Sequence, residues 1–214
     1  MSQLQQLAGA SQPLAPISLR PAQVPPQSPL KTGDWQAYLQ FLDNATGTQS
    51  SGRNSIEFFV DRQIIAPVVA AVSGAQGTIH IEVYQYQADQ EGWSFARLLA
   101  SKAGQGVRVR LLLDAFGSKV NHADVQKLVD FLRQNGVQVL IRPAPLLDSH
   151  IDHRKVMVID GAVGFTGGMN IGERYQDEWH DQQCLIQGPA VARLQETFLS
   201  QWQAVGGEVG PGEN

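Results

Sequence analysis

The chain has 214 residues, 43% hydrophobic and 17% charged, with a formal net charge of −4, enough for one domain that buries most of its apolar surface. No apolar run approaches the roughly 18 residues of a membrane span, the N-terminus lacks the basic cluster and apolar core of a secretory signal, and the single cysteine, Cys184, cannot form an internal disulfide. The acidic balance lacks the basic excess of a nonspecific nucleic-acid binder, and a cytoplasmic location is expected.

Residues 1–33 carry Pro13, Pro16, Pro21, Pro25, Pro26 and Pro29 among Gln, Ser and Ala, the composition of an extended or disordered leader. Asp34 then precedes Trp35, Tyr38, Leu39 and Leu42 at helical spacing, which predicts a short amphipathic helix over 34–43, capped by Asp34 and packed into the core. Residues 56–60 (IEFFV) read as the first strand. A helix over 63–73 begins or kinks at Pro67, which has no N–H to donate.

A strand over 79–86 (IHIEVYQY) follows. Alternation sends His80, Glu82, Tyr84 and Tyr86 to one face and Ile79, Ile81, Val83 and Gln85 to the other; His80 by itself reads as a core or solvent residue. Phe95, Leu98 and Leu99 mark a helix ending near Gly104. Residues 107–113 are rich in Val and Leu, as a buried parallel strand is, and Asp114 with residues 115–118 occupies the loop at its C-terminal end, where open α/β sheets place ligands. Val125, Leu128, Val129 and Leu132 predict an amphipathic helix stopped by Gly136, and a strand over 137–141 is closed by Pro143 and Pro145.

Residues 171–181 read as a polar loop in which Trp179 packs. Residues 183–187 form a strand with Cys184 as core filler, and Pro189 opens a last helix with Val191, Leu194, Phe198 and Trp202 on one face. A glycine-rich tail or linker occupies 206–214. Alternating βαβ units and one late hairpin predict an α/β fold: a three-layer α/β/α domain over 34–205 with a mixed, mostly parallel sheet.

The hairpin carries the chemistry. Residues 156–159 and 162–166 are β-prone runs separated by Asp160-Gly161, the dipeptide that favours a two-residue type I′ turn. With Ile159 paired to Ala162, Lys155 falls opposite Thr166 and His153 opposite Gly168, and His153, Lys155 and Asn170 share one face. An imidazole, an ammonium and a carboxamide beside Gly167 and Gly168, which let a bulky anion approach the backbone, make a phosphate site by composition. A neutral imidazole is a nucleophile near neutral pH, and Lys155 and Asn170 can hold the non-bridging oxygens of a five-coordinate phosphorus. Asp160 lies too far along the hairpin to touch His153 and takes a structural role in the turn.

The spacing of His153, Lys155, Asp160, Gly167, Gly168 and Asn170, H-x-K-x4-D-x6-G-G-x-N, resembles the HKD signature of the phospholipase D superfamily. Residues 79–86, 106–118, 152–172, 179–181 and 186–191 are collinear with the first catalytic half of bacterial cardiolipin synthases. The resemblance implies a phosphatidyltransferase or phosphodiesterase working without a cofactor or metal on a phosphatidylglycerol-like phospholipid, through a covalent phosphohistidine on His153. It also implies a partner, a second HKD half or a second copy of the chain, and peripheral contact with the inner face of the membrane. It places Asp181 where the family keeps a carboxylate that hydrogen-bonds the nucleophilic histidine, and Glu82 and Tyr84 on a polar pocket strand, with Asp114 at the site's edge. A zinc reading of His150 with His153, or His180 with Cys184, sets the Lys155 ammonium against the cation. The alternatives are a homodimeric nuclease, which the charge disfavours, and a noncatalytic assembly half.

Overall fold

The computed structural model describes residues 34–143, 151–211 and 213; the leader over 1–33 and His150 lie outside them. The chain divides into two units, Met1–Ser50 and Ser51–Asn214, and the helix expected to open the domain belongs to the first. That helix, α1 (Trp35–Thr46), starts where Asp34 Oδ1 accepts the Ala37 N–H at 3.0 Å, the side-chain cap expected of Asp at this position. Gly47 at φ 66° ends it. None of its residues is buried, so the expected core packing is not seen.

The second unit runs β1 (Ser55–Val60), a 3₁₀ turn (Asp61–Ile64), α2 (Ile65–Gly74), β2 (Thr78–Val83), α3 (Gln90–Gly104), β3 (Arg108–Asp114), α4 (Ala123–Gln134), β4 (Gln138–Arg142), β5 (Lys155–Ile159), β6 (Val163–Gly167), α5 (Arg174–Asp177), β7 (Gln182–Gln187) and α6 (Ala190–Ala204). Pro67 sits in the first turn of α2, where its missing N–H leaves no helical bond unmade. The sequence reading of α4 holds in full: Val125, Leu128, Val129 and Leu132 are its buried residues.

Seven strands form one sheet in the order β1-β7-β6-β5-β2-β3-β4. Helices α2, α3 and α4 cover one face and α6 the other, the three layers expected. The sheet is mixed, but not mostly parallel: only β2–β3 and β3–β4 are parallel, while β2–β5, β5–β6, β6–β7 and β7–β1 are antiparallel. Parallel pairing needs a crossover. The α3 and α4 crossovers supply two; from β5 onward consecutive strands lie side by side, β5–β6 joined by a turn and β6–β7 by residues 168–181 with α5, and β1 closes the far edge against β7.

Strand alternation sorts the core. Ile79, Ile81, Val83, Leu111, Met157 and Phe165 join the cluster under α2–α4, while Leu112 packs with Phe198, Leu199 and Trp202 of α6. His80 is buried on the α6 side, stacked 4.7 Å from Phe198, with Nδ1 2.9 Å from Gln195 Oε1. Burial lowers its pKa to about 4.

The hairpin turn forms as expected, with Asp160 and Gly161 at φ 51° and 63° and the Ala162 N–H donating to Ile159 O at 3.0 Å. The ladder then resumes one residue late, Ile159 pairing with Val163 and Val156 with Thr166. Ala162 is thus a surplus residue, as in a bulge, and the expected pairing of Lys155 with Thr166 is displaced by one, which exchanges the faces of every residue on β6 relative to β5.

Candidate active site

Three chain segments end at the same edge of the sheet: the C-terminal end of β2, the N-terminal end of β5 and the residues after β6. His153 lies two residues before β5 and is exposed. Its ring stands 4.5 Å from that of Tyr84 at 55°. Lys155, buried at the first position of β5, donates from Nζ to the His153 carbonyl at 2.7 Å and lies 5.1 Å over the Tyr84 ring. Burial lowers the Lys155 pKa, against the opposing fields of Asp181, Asp152 and Asp114.

Tyr84 is fixed from behind. A Cβ on Gly117 would lie 2.3 Å from Tyr84 O and 2.6 Å from its ring, and the Ser118 hydroxyl donates to Tyr84 O at 3.1 Å. The loop after β3 therefore supports the aromatic wall beside His153.

Asn170 reaches the site after the chain has left the β6 ladder. Its Oδ1 accepts the Gln85 N–H at 2.9 Å, a donor that can face only the carboxamide oxygen, so the Asn170 amide is left as the donor. Tyr175, buried at 3% exposure, donates to Gln85 Oε1 at 2.6 Å. Burial raises the Tyr175 pKa, offset by a hydrogen bond from Asn170 and reinforced by the Asp181 charge. Convergence of Lys155 and Asn170 at this edge thus comes from the path of residues 168–171, whose Gly168 and Ile171 N–H groups bond Gln182 O and Gln85 O, and not from a shared ladder face.

The neighbour of Gly168 within the chain is a carboxylate. A Cβ there would lie 1.8 Å from Asp181 Oδ1, so the glycine makes room for that carboxylate. Gly167 likewise packs on the β7 backbone, where a Cβ would lie 2.2 Å from Gln182 O. Asp181 is held by reciprocal bonds: its N–H donates to Asp61 Oδ1 at 2.9 Å and its carbonyl accepts the Asp61 N–H at 2.9 Å. Among the described residues no hydrogen bond joins the His153 ring to Asp181; the carboxylate acts on Lys155 and Tyr175 through its field. His180 pairs through Nδ1 with Asp61 Oδ2 at 2.9 Å, and Trp179, expected to pack, is 53% exposed with its ring edge-on to Tyr175.

Glu82 and Asp114 do not line this edge. Glu82 pairs with Val156 across β2–β5, so it faces the α6 side, opposite Val83 and Lys155, and is 3% exposed. There it meets Asp152, Arg154 and Arg142. Arg154 binds Asp152 in a bidentate pair, 2.8 Å to Oδ1 and 2.6 Å to Oδ2, lies 3.4 Å from Glu82, and Arg142 lies 3.0 Å from Asp152. Burial and the adjacent Asp152 push the Glu82 pKa up to about 8. Although burial opposes the charge of Asp152, its bidentate hydrogen bonds from Arg154 hold its pKa below the usual carboxylate range.

Asp114 is buried, with Oδ1 accepting the Phe116 and Gly117 N–H groups and Oδ2 the Asp152 N–H at 3.0 Å. It pins the segment that presents His153. The Asp152-His153-Arg154 charge pattern was the available sequence signal for this support; nothing local marks Tyr175 or Gln85.

Asp160 takes the structural position expected, in a form alternation does not reveal. Its carboxylate accepts the N–H groups of Gln76, Gly77 and Thr78 at 2.8, 2.7 and 2.8 Å, tying the hairpin tip to the α2–β2 loop. Burial opposes its charge, but these donors and Lys102 hold its pKa below the ordinary value. The described residues contain no cluster of three or more metal-ligating side chains and no helix long and apolar enough to cross a membrane.

The family model described as "Cardiolipin synthase, PLD-like domain" matches residues 68–202. The cardiolipin synthase of Geobacillus kaustophilus is 40% identical over 159 residues, covering 68% of this chain and 31% of that protein. That of Alkalihalophilus pseudofirmus is 36% identical over 177 residues, 73% of this chain and 34% of the relative. The chain thus spans about a third of the length of these relatives. Among solved structures, Nuc from Salmonella typhimurium, a phospholipase D family member, superposes with a TM-score of 0.59 at 19% identity, covering 72% of this chain and 94% of that one. Phosphatidylserine synthase from Haemophilus influenzae superposes with a TM-score of 0.55 at 16% identity, over 69% and 36%. Both establish the likeness of fold.

Proposed function

This chain belongs to the phospholipase D-like domain family of cardiolipin synthases, and on that premise we propose that it is one catalytic half of a phosphatidyltransferase whose nucleophile is His153. The observation that carries the reading is the meeting of His153, Lys155 and Tyr84 at one sheet edge, within the segment the family model matches.

The exposed His153 imidazole attacks the phosphorus of a phosphatidylglycerol-like donor, forming a P–N bond as the P–O bond to the leaving glycerol breaks. The leaving alkoxide takes a proton from the histidine of a second H-x-K half or a second copy of the chain. That histidine then deprotonates the acceptor, whose oxygen displaces His153 and restores it. A glycerol hydroxyl of another phosphatidylglycerol yields cardiolipin, and water yields phosphatidic acid. Lys155 and the Asn170 amide stabilise the charge on the non-bridging oxygens, and the low dielectric around the buried ammonium strengthens that effect. Asp181 sustains the protonated state of Lys155 through its field. Exposed Phe116, Ile151 and Trp179, which lie one residue from Gly117 and two residues from His153 and Asp181 in sequence, suit the surface on which the second half closes and from which the enzyme meets the bilayer.

Incubating the purified chain with phosphatidylglycerol and recording intact and native mass tests this. A phosphatidyl adduct is expected on the wild type and not on His153→Ala. An adduct that survives in the variant, or a native dimer that forms none, overturns the reading.

A further inference from the structure

Under α2 and α3, on the Lys155 face of the sheet, lies a cavity of about 400 Å³, within the range of roughly 300–1,000 Å³ typical of small-molecule sites. Ile64 and Val68 form one wall, Leu98 of α3 another, and Met157 and Met169 the floor. The end nearest the motif is formed by Asn170. At the outer rim Val69 is 41% exposed, so the apolar lining runs from solvent to the residue that faces the reacting phosphate in the proposed chemistry.

We propose that this cavity holds one acyl chain of the phosphatidyl donor, a reading that rests on the assignment of the H-x-K site to phospholipids. Three features choose a hydrocarbon chain over other occupants. The wall is mainly apolar, with Glu91, Ser94, Asn170 and Gln183 as its polar residues, and the one ionisable residue along it is the acidic Glu91, which disfavours an anionic group inside. Two methionines supply the adaptable thioethers that fit a flexible chain. Asn170 belongs both to the cavity and to the motif, so a diacylglycerol phosphate with its phosphorus at the motif has an apolar path beginning at its glycerol side. A water-soluble phosphodiester gains nothing from that path.

Binding of monomeric lysophosphatidylglycerols bearing hexanoyl, octanoyl and decanoyl chains, measured by calorimetry on the full chain, tests the assignment. Each added methylene is expected to tighten binding about threefold to fourfold, the effect of moving it out of water. Leu98→Trp and, as a second filling variant, Val68→Phe are expected to abolish the dependence on chain length, with cooperative urea unfolding and an unchanged far-UV circular dichroism spectrum reporting an intact fold. Equal affinity for all three probes, no binding of any, or a chain-length dependence that persists in both variants overturns the cavity assignment. The phosphatidyl reading fails separately: chain-length-dependent binding lost in the filled variants, with no adduct on His153 from phosphatidylglycerol, leaves the cavity standing and removes the chemistry proposed for the motif.

Discussion

The Asp181 carboxylate occupies the space that a side chain on Gly168 would take, with Oδ1 1.8 Å from the position of a Cβ. Gly168→Ala therefore displaces the carboxylate. Because the end of a short side chain can swing away, the expected stability change is small, within roughly 1 kcal/mol. The loss of the Asp181 field at Lys155 is expected to lower turnover of the active assembly about 10- to 100-fold, as misplacement at a reacting centre does. Urea unfolding and kcat, measured on the same preparation, check both halves of the prediction.

Lys155 is buried at 5% exposure and keeps a lowered pKa. Replacing it with Met fills the same volume with an apolar chain, so the fold is expected to survive while kcat falls by about 10²–10³, the cost of removing one transition-state donor. In the proposed mechanism activity requires the ammonium, so the alkaline limb of the pH–rate profile is expected below the ordinary lysine value. A limb unchanged in Lys155→Arg would show that another group sets it.

Asp160 accepts three successive backbone N–H groups from the α2–β2 loop. Asp160→Ala leaves those donors to water and is expected to cost about 1.5–3 kcal/mol, as for hydrogen bonds to a charged group, with little effect on kcat in the folded fraction. Its folded-state pKa lies below the ordinary 3.8, so this stabilisation is present above that value and is lost as pH falls through the folded-state pKa. Unfolding free energies of wild type and variant at neutral and acidic pH measure both effects.

Glu82 and His80 give the stability curve two opposing slopes. The folded state holds a proton on Glu82 that the unfolded chain releases above 4.5, so this contribution is complete below 4.5 and lost as pH rises through about 8. His80 is kept neutral in the folded state, so its contribution is complete above 6.5 and lost as pH falls toward 4. Between 4.5 and 6.5 the two slopes offset, and stability is expected to be nearly level there, declining from 6.5 to 8. Glu82→Gln, which places a neutral amide beside Asp152, Arg154 and Arg142, is expected to remove the alkaline decline; its persistence in the variant would assign that slope to another group.

Much of the fold was legible because it depends on neighbours in sequence. The Asp34 cap, the apolar stripe of α4 and the position of the Asp160-Gly161 turn each involve a few consecutive residues; the first two stand as read, and the turn forms at the expected dipeptide with its ladder one residue late. The face of Glu82 also followed from alternation, but which face carried the site did not: β2 ends at Val83, so Tyr84 reaches the His153 edge while Glu82, two residues earlier, is buried under α6. Asp114, read as a loop residue at the site's edge, is the last residue of β3, and its carboxylate accepts the backbone N–H groups of residues 116, 117 and 152.

The sequence by itself therefore determined the helices, the hairpin turn and the H-x-K motif, because backbone propensity, capping and spacing act over a few residues. Tertiary structure decided the antiparallel majority of the sheet, the one-residue shift between β5 and β6, and the company that Asp181, Glu82 and Asp160 keep. Those depend on contacts between distant segments: Asp160 binds Thr78 across 82 residues of chain. Pairing at such range is chosen by which faces can be buried together, a property of the whole sheet that no local pattern encodes.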